Sequence, residues 1–216
     1  MKWKVDLHIH TSFSEDALCT PAQVVELSLA RGLSRIAITD HNTIAGALEA
    51  RKIAPELVII GEEVRTKRGE LLALFISEEI PPKLDPLETI RRIKEQGGIV
   101  GIPHPFDQIR REAMGPYALE IIKQVDFLEG FNARTLFSSD NTRAMKLAME
   151  LGLPVSAGSD AHTPWEIGKV WVEMDPFSGE REFLEALKGG RIKGRRSPLW
   201  VHLFSTLAKI ARKWRI

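Results

Sequence analysis

Histidine and carboxylate side chains follow nearly every predicted β-strand of this sequence, and this pattern constrains the fold more than any other feature. His8 and His10 lie at the end of a strand whose apolar residues are Val5, Leu7 and Ile9. Because alternate residues of a strand point to the same face, both imidazoles can reach one metal ion. The same residue types recur at Asp16, Thr39-Asp40-His41, Gly61-Glu62-Glu63, Pro103-His104-Pro105 and Gly158-Ser159-Asp160-Ala161-His162.

Ligands from so many strand ends can meet at one point only if the strands surround that point, as they do in a β/α barrel. Strands are predicted at residues 5–8, 35–39, 57–62, 70–76, 99–103, 127–131 and 155–159, with helices at 21–31, 44–52, 86–96, 116–123 and 141–151. Thr20 and Asp85, each followed by proline, predict two helix N-termini. We therefore predict an α/β barrel of about seven strands, with an open doubly wound sheet as the alternative.

Length and composition agree with one domain spanning residues 1–216. At 44% hydrophobic residues the chain can bury one large core. The single cysteine, Cys19, excludes an intrachain disulfide, and no targeting signal precedes the first strand. No apolar run approaches the roughly 18 residues of a spanning helix, so we expect a soluble, cytoplasmic protein.

Candidate ligands of only His, Asp and Glu favour divalent ions such as Zn, Mn or Fe, with Mg as a further candidate. A structural zinc site would normally use thiolates, so the pattern indicates a catalytic centre.

Five short motifs at these strand ends resemble the polymerase and histidinol phosphatase (PHP) family of metal-dependent phosphoesterases, over residues from about 3 to 175. They are His8-x-His10 with Asp16, Thr39-Asp40-His41, Gly61-Glu62-Glu63, Pro103-His104-Pro105 and Gly158-Ser159-Asp160-Ala161-His162. The resemblance implies a distorted (β/α)7 barrel with the metal site at the C-terminal ends of the strands. It also implies two or three divalent ions, with Glu63 rather than Glu62 as the ligand of the Gly-x-Glu motif. The implied ligands are His8, His10, Glu63 and Asp160 for one ion, Glu63 and His104 for a second, and Asp16, His41 and His162 for a third.

One position departs from the family pattern. Many relatives have a histidine at the start of the strand after Gly-x-Glu, where this sequence has Glu70. A carboxylate can replace an imidazole as a ligand, so Glu70 is a further metal candidate. The alternative is a solvent-facing glutamate at the end of a hairpin.

A cluster of divalent ions predicts hydrolysis of a phosphate ester by a metal-activated water. The residues expected to carry catalysis are His8, His10, Asp16, His41, Glu63, His104, Asp160 and His162. Candidate substrate-binding residues are Asn132 and Arg134 after a strand end, and Arg110 and Arg111 after His104.

A small phosphorylated molecule is the expected substrate. A nuclease or nucleotide phosphodiesterase using the same ions is the alternative, with nucleic acid as its partner. A non-catalytic scaffold subunit fits less well, because the ligand set is nearly complete. The sequence does not determine an oligomeric state.

The C-terminal segment is strongly basic. Residues 191–216 carry eight Lys or Arg and no acid, which leaves 22 basic and 29 acidic groups in residues 1–190, a formal charge of −7. An amphipathic helix is predicted at about 198–215. We expect its apolar stripe to pack on the barrel, and binding to a membrane or nucleic acid is the alternative. The stripe comprises Leu199, Trp200, Leu203, Phe204, Leu207, Ala211 and Trp214.

Overall fold

The computed structural model describes residues 1–213 and contains a nine-stranded mixed sheet with helices packed against it. The strands are β1 Trp3–Ile9, β2 Arg35–Ile38, β3 Val58–Thr66, β4 Gly69–Leu74, β5 Ile99–Ile102, β6 Phe127–Asn132, β7 Val155–Gly158, β8 Val170–Met174 and β9 Arg191–Gly194. The helices are α1 Pro21–Ala30, α2 Ala45–Ile53, α3 Pro86–Glu95, α4 Ala118–Ile121, α5 Ser138–Leu151, α6 Glu180–Lys188 and α7 Val201–Lys213.

The first seven strands form the barrel. The strand order is β7-β6-β5-β4-β3-β2-β1-β8-β9, and a parallel bridge between Ile9 and Ala161 joins the end of β1 to the chain just after β7. Across this joint the Asp160 amide donates to the His8 carbonyl at 2.7 Å. The predicted seven-stranded barrel is confirmed, and the open doubly wound alternative is wrong.

The barrel is distorted by antiparallel strands. Strand β4 runs antiparallel to both β3 and β5, and residues 67–68 form the tight turn between β3 and β4. Strands β8 and β9 extend the sheet beyond β1, also antiparallel. These two strands and α6 fall outside the predicted elements. Strand β9 has the sequence Arg-Ile-Lys-Gly and is largely exposed, so it lacks the apolar signal of a buried strand.

Local capping explains where two helices begin. The Gln23 amide donates to the Thr20 hydroxyl at 3.3 Å, and the Thr20 amide donates to the Gln23 side chain at 2.9 Å, which forms a capping box. The Asp85 carboxylate accepts from the Leu87 amide at 3.0 Å. Both predicted N-termini are confirmed.

Alternation along the strands divides the core into two layers. Ile36 and Ile60 belong to the layer that packs against the helices, whereas Ala37, Ile59 and Leu72 belong to a second cluster with residues of the other barrel strands. Since side chains from around the sheet meet in this second cluster, it fills the barrel interior. Polar residues that continue the same face beyond this cluster point into the mouth of the barrel.

Helix α7 packs on the barrel through a face that the sequence analysis did not predict. Val201, Ser205 and Ala208 are buried, whereas Leu203 and Leu207 of the predicted stripe remain exposed. The expectation that the apolar stripe covers the barrel is therefore wrong. On the inward face, Ser205 accepts a hydrogen bond from the buried Arg134 side chain at 2.7 Å, a distant polar contact that an apolar pattern does not predict. The helix begins at Val201 rather than 198, and its predicted end at 215 lies outside the described residues, as does Trp214.

Among residues 1–213, no helix combines the length and hydrophobicity needed to cross a membrane.

Candidate metal centre

Strand alternation selects Glu63 rather than its neighbour for the barrel mouth. Ile59, Gly61 and Glu63 share one face of β3, and Glu63 follows the interior cluster. Glu62 points away and accepts a hydrogen bond from the Ile80 amide at 2.9 Å. Burial raises the pKa of Glu62 to about 8, so this carboxyl is largely protonated at neutral pH and is not suited to bind a cation.

The Glu63 carboxylate lies between two sets of histidines. Its Oε1 is 2.9 Å from His104 Nε2 and 3.4 Å from His8 Nε2. Its Oε2 is 3.0 Å from His41 Nδ1 and 3.5 Å from His10 Nε2. Burial opposes ionisation, but the charge of His8 and hydrogen bonds from the histidines hold the pKa of Glu63 well below its usual range.

Asp160 also divides its two oxygens between different partners. Oδ1 faces the histidines, at 3.4 Å from His10 Nε2 and 3.7 Å from His8 Nε2. Oδ2 accepts hydrogen bonds from Asn132 Nδ2 at 3.1 Å and from the Arg110 guanidinium. The second oxygen is therefore occupied by protein donors, whereas the first is free to bind a cation.

A third group lies on the outer side of the centre. Asp16 Oδ1 is 3.3 Å from His162 Nε2 and 3.6 Å from His41 Nε2. Donor atoms of His10, His41 and His162 all lie within 4.8 Å of one another. All eight predicted catalytic residues are thus brought together at the barrel mouth.

Glu70 faces this centre and is not a surface residue. It is 3% exposed, and its oxygens lie 3.9 Å from His104 Nε2 and 4.0 Å from His41 Nδ1. Burial and the neighbouring Glu63 raise the pKa of Glu70 to about 7. The solvent-facing alternative is wrong, and Glu70 belongs to a three-residue group that could hold an ion, with His41 and Glu63.

Several buried donor atoms of the centre have no hydrogen-bond partner among the described residues. They include Asp16 Oδ1, His41 Nδ1, Glu63 Oε2 and Asp160 Oδ1. Buried polar atoms are normally satisfied, because leaving one unpaired costs about 1–3 kcal/mol. Imidazole nitrogens and carboxylate oxygens in this arrangement match the donor set of Zn, Mn or Fe, so the residues fit bound divalent ions.

A second layer of buried polar residues orients these side chains. Glu129 Oε1 lies 3.1 Å from His8 Nδ1, and its Oε2 accepts from the His104 amide at 2.7 Å. Asp40 accepts from the Ser14 hydroxyl, which lies 3.1 Å from His10 Nδ1. Asp40 also accepts a hydrogen bond from the Thr11 amide at 2.7 Å. Glu129 is missing from the predicted site residues, although a glutamate inside the apolar strand of residues 127–131 is itself a signal.

The backbone at two strand ends is unusual. His104 has φ 27° and Asp160 has φ 52°, a left-handed conformation that residues other than glycine rarely adopt. In each case the conformation turns the chain at the end of a barrel strand and brings the side chain into the centre. Such strain is typical of positions that the surrounding structure fixes for function.

The centre opens into a cavity of about 210 Å³ whose rim carries the basic Arg65, Arg110, Arg134 and Lys209 and the acidic Asp107 and Glu112. Arg110 and Arg134 line the cavity, as predicted for substrate-binding residues, whereas Arg111 is exposed and absent from the lining. Arg134 is held by Glu166 at 3.2 Å. Asn132 is buried beneath the rim, where its Nδ2 donates to Glu129 at 3.0 Å.

Three of the Arg, Lys and His side chains that line the cavity were not predicted. Arg65 comes from β3, and His202 and Lys209 come from α7. Burial and the neighbouring Arg134 lower the pKa of His202 to about 4, so this imidazole is neutral at pH 7. Because α7 binds the barrel through polar contacts that hydrophobic periodicity does not detect, no sequence signal pointed to these two side chains.

Comparisons with known proteins agree with this geometry. The profile described as PHP domain matches residues 6–151, and the profile described as PHP-associated matches residues 138–192. An uncharacterised protein of Methanocaldococcus jannaschii is 34% identical over 196 residues, which cover 86% of this chain and 79% of the relative.

Two relatives with named activities are also similar to this chain. A 5'-3' exoribonuclease of Haemophilus influenzae is 30% identical over 53% of this chain and 47% of its own length. A 3',5'-nucleoside bisphosphate phosphatase of Chromobacterium violaceum is 30% identical over 66% of this chain and 52% of its own length.

A solved structure shares the fold. It is a two-domain protein of Bacteroides vulgatus containing a predicted PHP-like metal-dependent phosphoesterase, with a TM-score of 0.74 and 22% identity. The match covers 90% of this chain and 65% of that one.

Proposed function

The chain belongs to the PHP domain family, and we propose that its metal centre hydrolyses phosphate monoesters of small molecules. As a PHP enzyme it is a metal-dependent phosphoesterase. The observation that supports the finer proposal is the set of unpaired buried donor atoms beside a small, arginine-rimmed cavity. The C. violaceum relative, named as a bisphosphate phosphatase, also supports it.

We assign the donors to two or three ions of Zn, Mn or Fe, with Mg as a further candidate. The different histidines on the two oxygens of Glu63 support a bridging role for that carboxylate. The proposed ligands are His8, His10, Glu63 and Asp160 for the first ion, Glu63, Glu70 and His104 for the second, and Asp16, His41 and His162 for the third.

When bound, divalent ions lower the pKa of water and neutralise charge that develops on phosphoryl oxygens. The side chains of the protein bind the substrate anion and orient the proposed ligands. Arg110, held beside Asp160 and 3.5 Å from Asp107, presents a permanent positive charge to an anion in the cavity. Asn132 keeps Asp160 oriented, and Arg134 contributes a second guanidinium at the rim. Arg111 is not part of this proposal, because it does not line the cavity.

The size of the cavity supports a small substrate. A volume of about 210 Å³ is below the usual range of about 300–1,000 Å³ for ligand pockets, so little beyond a phosphoryl group and a short alcohol portion fits inside. A polynucleotide would need a longer basic groove with stacking aromatics. The exoribonuclease relative keeps hydrolysis of nucleic acid as the alternative that the experiment must separate.

The test is a substrate panel with the metal-loaded protein, using p-nitrophenyl phosphate, bis-p-nitrophenyl phosphate and a short single-stranded RNA. We expect turnover of the monoester to exceed that of both diesters. Glu63→Gln should abolish all hydrolysis, whereas Glu49→Gln on the surface of α2 should leave it unchanged. Release of mononucleotides from RNA with weak monoester turnover would show that the alternative is correct.

A further inference from the structure

The outer face of α7 is apolar and has no partner among the described residues. Leu203, Leu207 and Ile210 are 59%, 50% and 49% exposed, on the side of the helix opposite the buried Val201 and Ser205. A helix on a globular domain normally turns its apolar side to the core. Here the inward face is held by Ser205 and Arg134, and the apolar side faces outward.

Aromatic side chains extend this face. Trp165, from the loop between β7 and β8, has its ring 5.5 Å from Trp200 and 5.4 Å from Phe204. The resulting surface, which we call the α7 patch, exposes on the order of several hundred Å². This is comparable with the largest apolar patches of monomeric proteins, about 300–600 Å², which are often functional. The α7 patch consists of Trp165, Leu199, Trp200, Leu203, Phe204, Leu207 and Ile210.

The charge of the sequence segment that contains α7 indicates the chemistry of the partner. Residues 191–216 carry eight basic groups and no acid, against a formal −7 in the rest of the chain. Lys209 is paired with Glu15 at 2.5 Å, so these two charges offset each other, and the other seven basic residues of the segment are those that set its net charge. Two copies of this helix placed face to face would bring like charges together, and that arrangement disfavours self-association. The charge is complementary to an anionic surface.

We propose that the α7 patch docks the protein on a membrane surface rich in anionic phospholipid. Leucine, isoleucine and tryptophan on one face of a helix, within a segment rich in lysine and arginine, are typical of helices that lie in the membrane interface. Four of the seven residues in the α7 patch are aliphatic and cannot stack on bases, so a lipid surface fits better than nucleic acid. The match to the PHP domain ends at residue 151 and the PHP-associated match at residue 192, both before α7 begins.

Docking would also position the catalytic cavity. His202 and Lys209 line that cavity, and Leu203 and Leu207 lie on the outer face of the same helix. The helix diameter of about 10 Å therefore sets the distance between the cavity rim and the membrane. Membrane binding is measured without substrate, so this inference stands or falls separately from the proposed phosphatase activity.

The experiment is co-sedimentation of the full-length protein with phosphatidylcholine vesicles, with and without 30% phosphatidylglycerol. We expect binding only to the anionic vesicles. The double variant Leu203→Glu, Leu207→Glu should weaken binding at least tenfold. The matched control is Leu87→Glu, Met149→Glu, which places the same charges at exposed apolar positions of α3 and α5 and should not change binding. Circular dichroism checks that both variants are folded.

A second measurement needs no variant. Vesicles of the same anionic composition with brominated acyl chains should quench the tryptophan emission of the wild-type protein, because Trp165 and Trp200 would enter the interface. Absence of both binding and quenching would falsify the inference. Equal binding to neutral vesicles, a dimer that the Leu203→Glu, Leu207→Glu variant converts to a monomer, or binding of the α7 patch to oligonucleotides alone would also overturn it.

Discussion

Glu63 is the side chain on which the centre depends most. Its two oxygens contact different histidines, His104 and His8 on one side and His41 and His10 on the other. No neighbouring carboxylate has this position, because Glu62 is turned to the opposite face of β3 and bonds to the Ile80 amide. Removing the charge of Glu63 should therefore disturb both groups of histidines.

Glu129 gives the first prediction. Its carboxylate contacts His8 Nδ1 and the His104 amide, so Glu129→Gln should weaken the orientation of two proposed ligands. Such orienting groups typically contribute about 10–100-fold to metal affinity. We expect a loss of that size in a calorimetric metal titration. Glu173→Gln on β8 is the control, and an unchanged affinity in the Glu129 variant would show that this residue only supports the fold.

Glu70 gives the second prediction, because this carboxylate stands where the family resemblance leads us to expect a histidine. Its carboxylate adds negative charge beside His104 and His41, which favours harder ions such as Mn over Zn. Glu70→His should retain activity and raise the rate with Zn relative to Mn. Glu70→Ala should lower the number of bound ions by elemental analysis. If neither the stoichiometry nor the Mn-to-Zn ratio changes in Glu70→Ala, the residue is not a ligand.

Some residues of the centre could be predicted from the sequence and others could not, depending on whether their position follows from a local pattern. Strand alternation placed His8 and His10 on one face, and the choice of Glu63 over Glu62 came from the family resemblance. Glu129 was missed because its partners, His8 and His104, lie 121 and 25 residues away. Such contacts are set by the packing of strands, so a glutamate inside an apolar strand signals a buried carboxylate without indicating its partners.

At the level of strands and helices, the barrel is shaped by small residues where two strands approach closely. A Cβ atom at Gly101 of β5 would lie 2.1 Å from the ring of Phe127, which is fully buried in β6. Phe127 belongs to the interior cluster beneath the metal centre. The glycine is therefore required by packing, and its backbone conformation is ordinary.

Gly101→Ala gives the third prediction. The added methyl group forces the Phe127 ring to move within a dense interior, and overpacking of this kind costs about 1–3 kcal/mol. We expect a loss of that size in the free energy of unfolding, measured with a chemical denaturant. Gly189→Ala is the control, since its nearest atom would be 3.8 Å away. Equal stability of the two variants would contradict this view of the interior.

Elements with strong hydrophobic patterns were predictable, and those held by polar contacts were not. Strands β1 to β7 and the capped helices α1 and α3 follow from alternation and from Thr20 and Asp85. The orientation of α7 does not, because its inward face carries Ser205, which accepts a hydrogen bond from Arg134, 71 residues away in the sequence, and helical periodicity cannot reveal such a contact. Strand β9 is mostly exposed and charged, so its pairing with β8 depends on tertiary context.

Considered as a whole, the molecule gathers acidic side chains at the barrel mouth. Asp16, Glu63, Glu70 and Asp160 are grouped there, whereas the segment of residues 191–216 carries eight Lys or Arg and no acid. Buried carboxylates this close together are costly without a compensating charge. Bound divalent cations would supply that compensation. The same centre would then both hold the ions and hydrolyse phosphate esters.

The most direct test is a metal titration of chelator-treated protein in which bound ions and monoester hydrolysis are measured in the same samples. We predict that activity appears as about two or three equivalents of Mn or Zn bind. In Glu63→Gln, fewer ions should bind and activity should remain absent. Hydrolysis by metal-free protein, or a wild-type chain that binds no ions at saturating metal, would contradict the account.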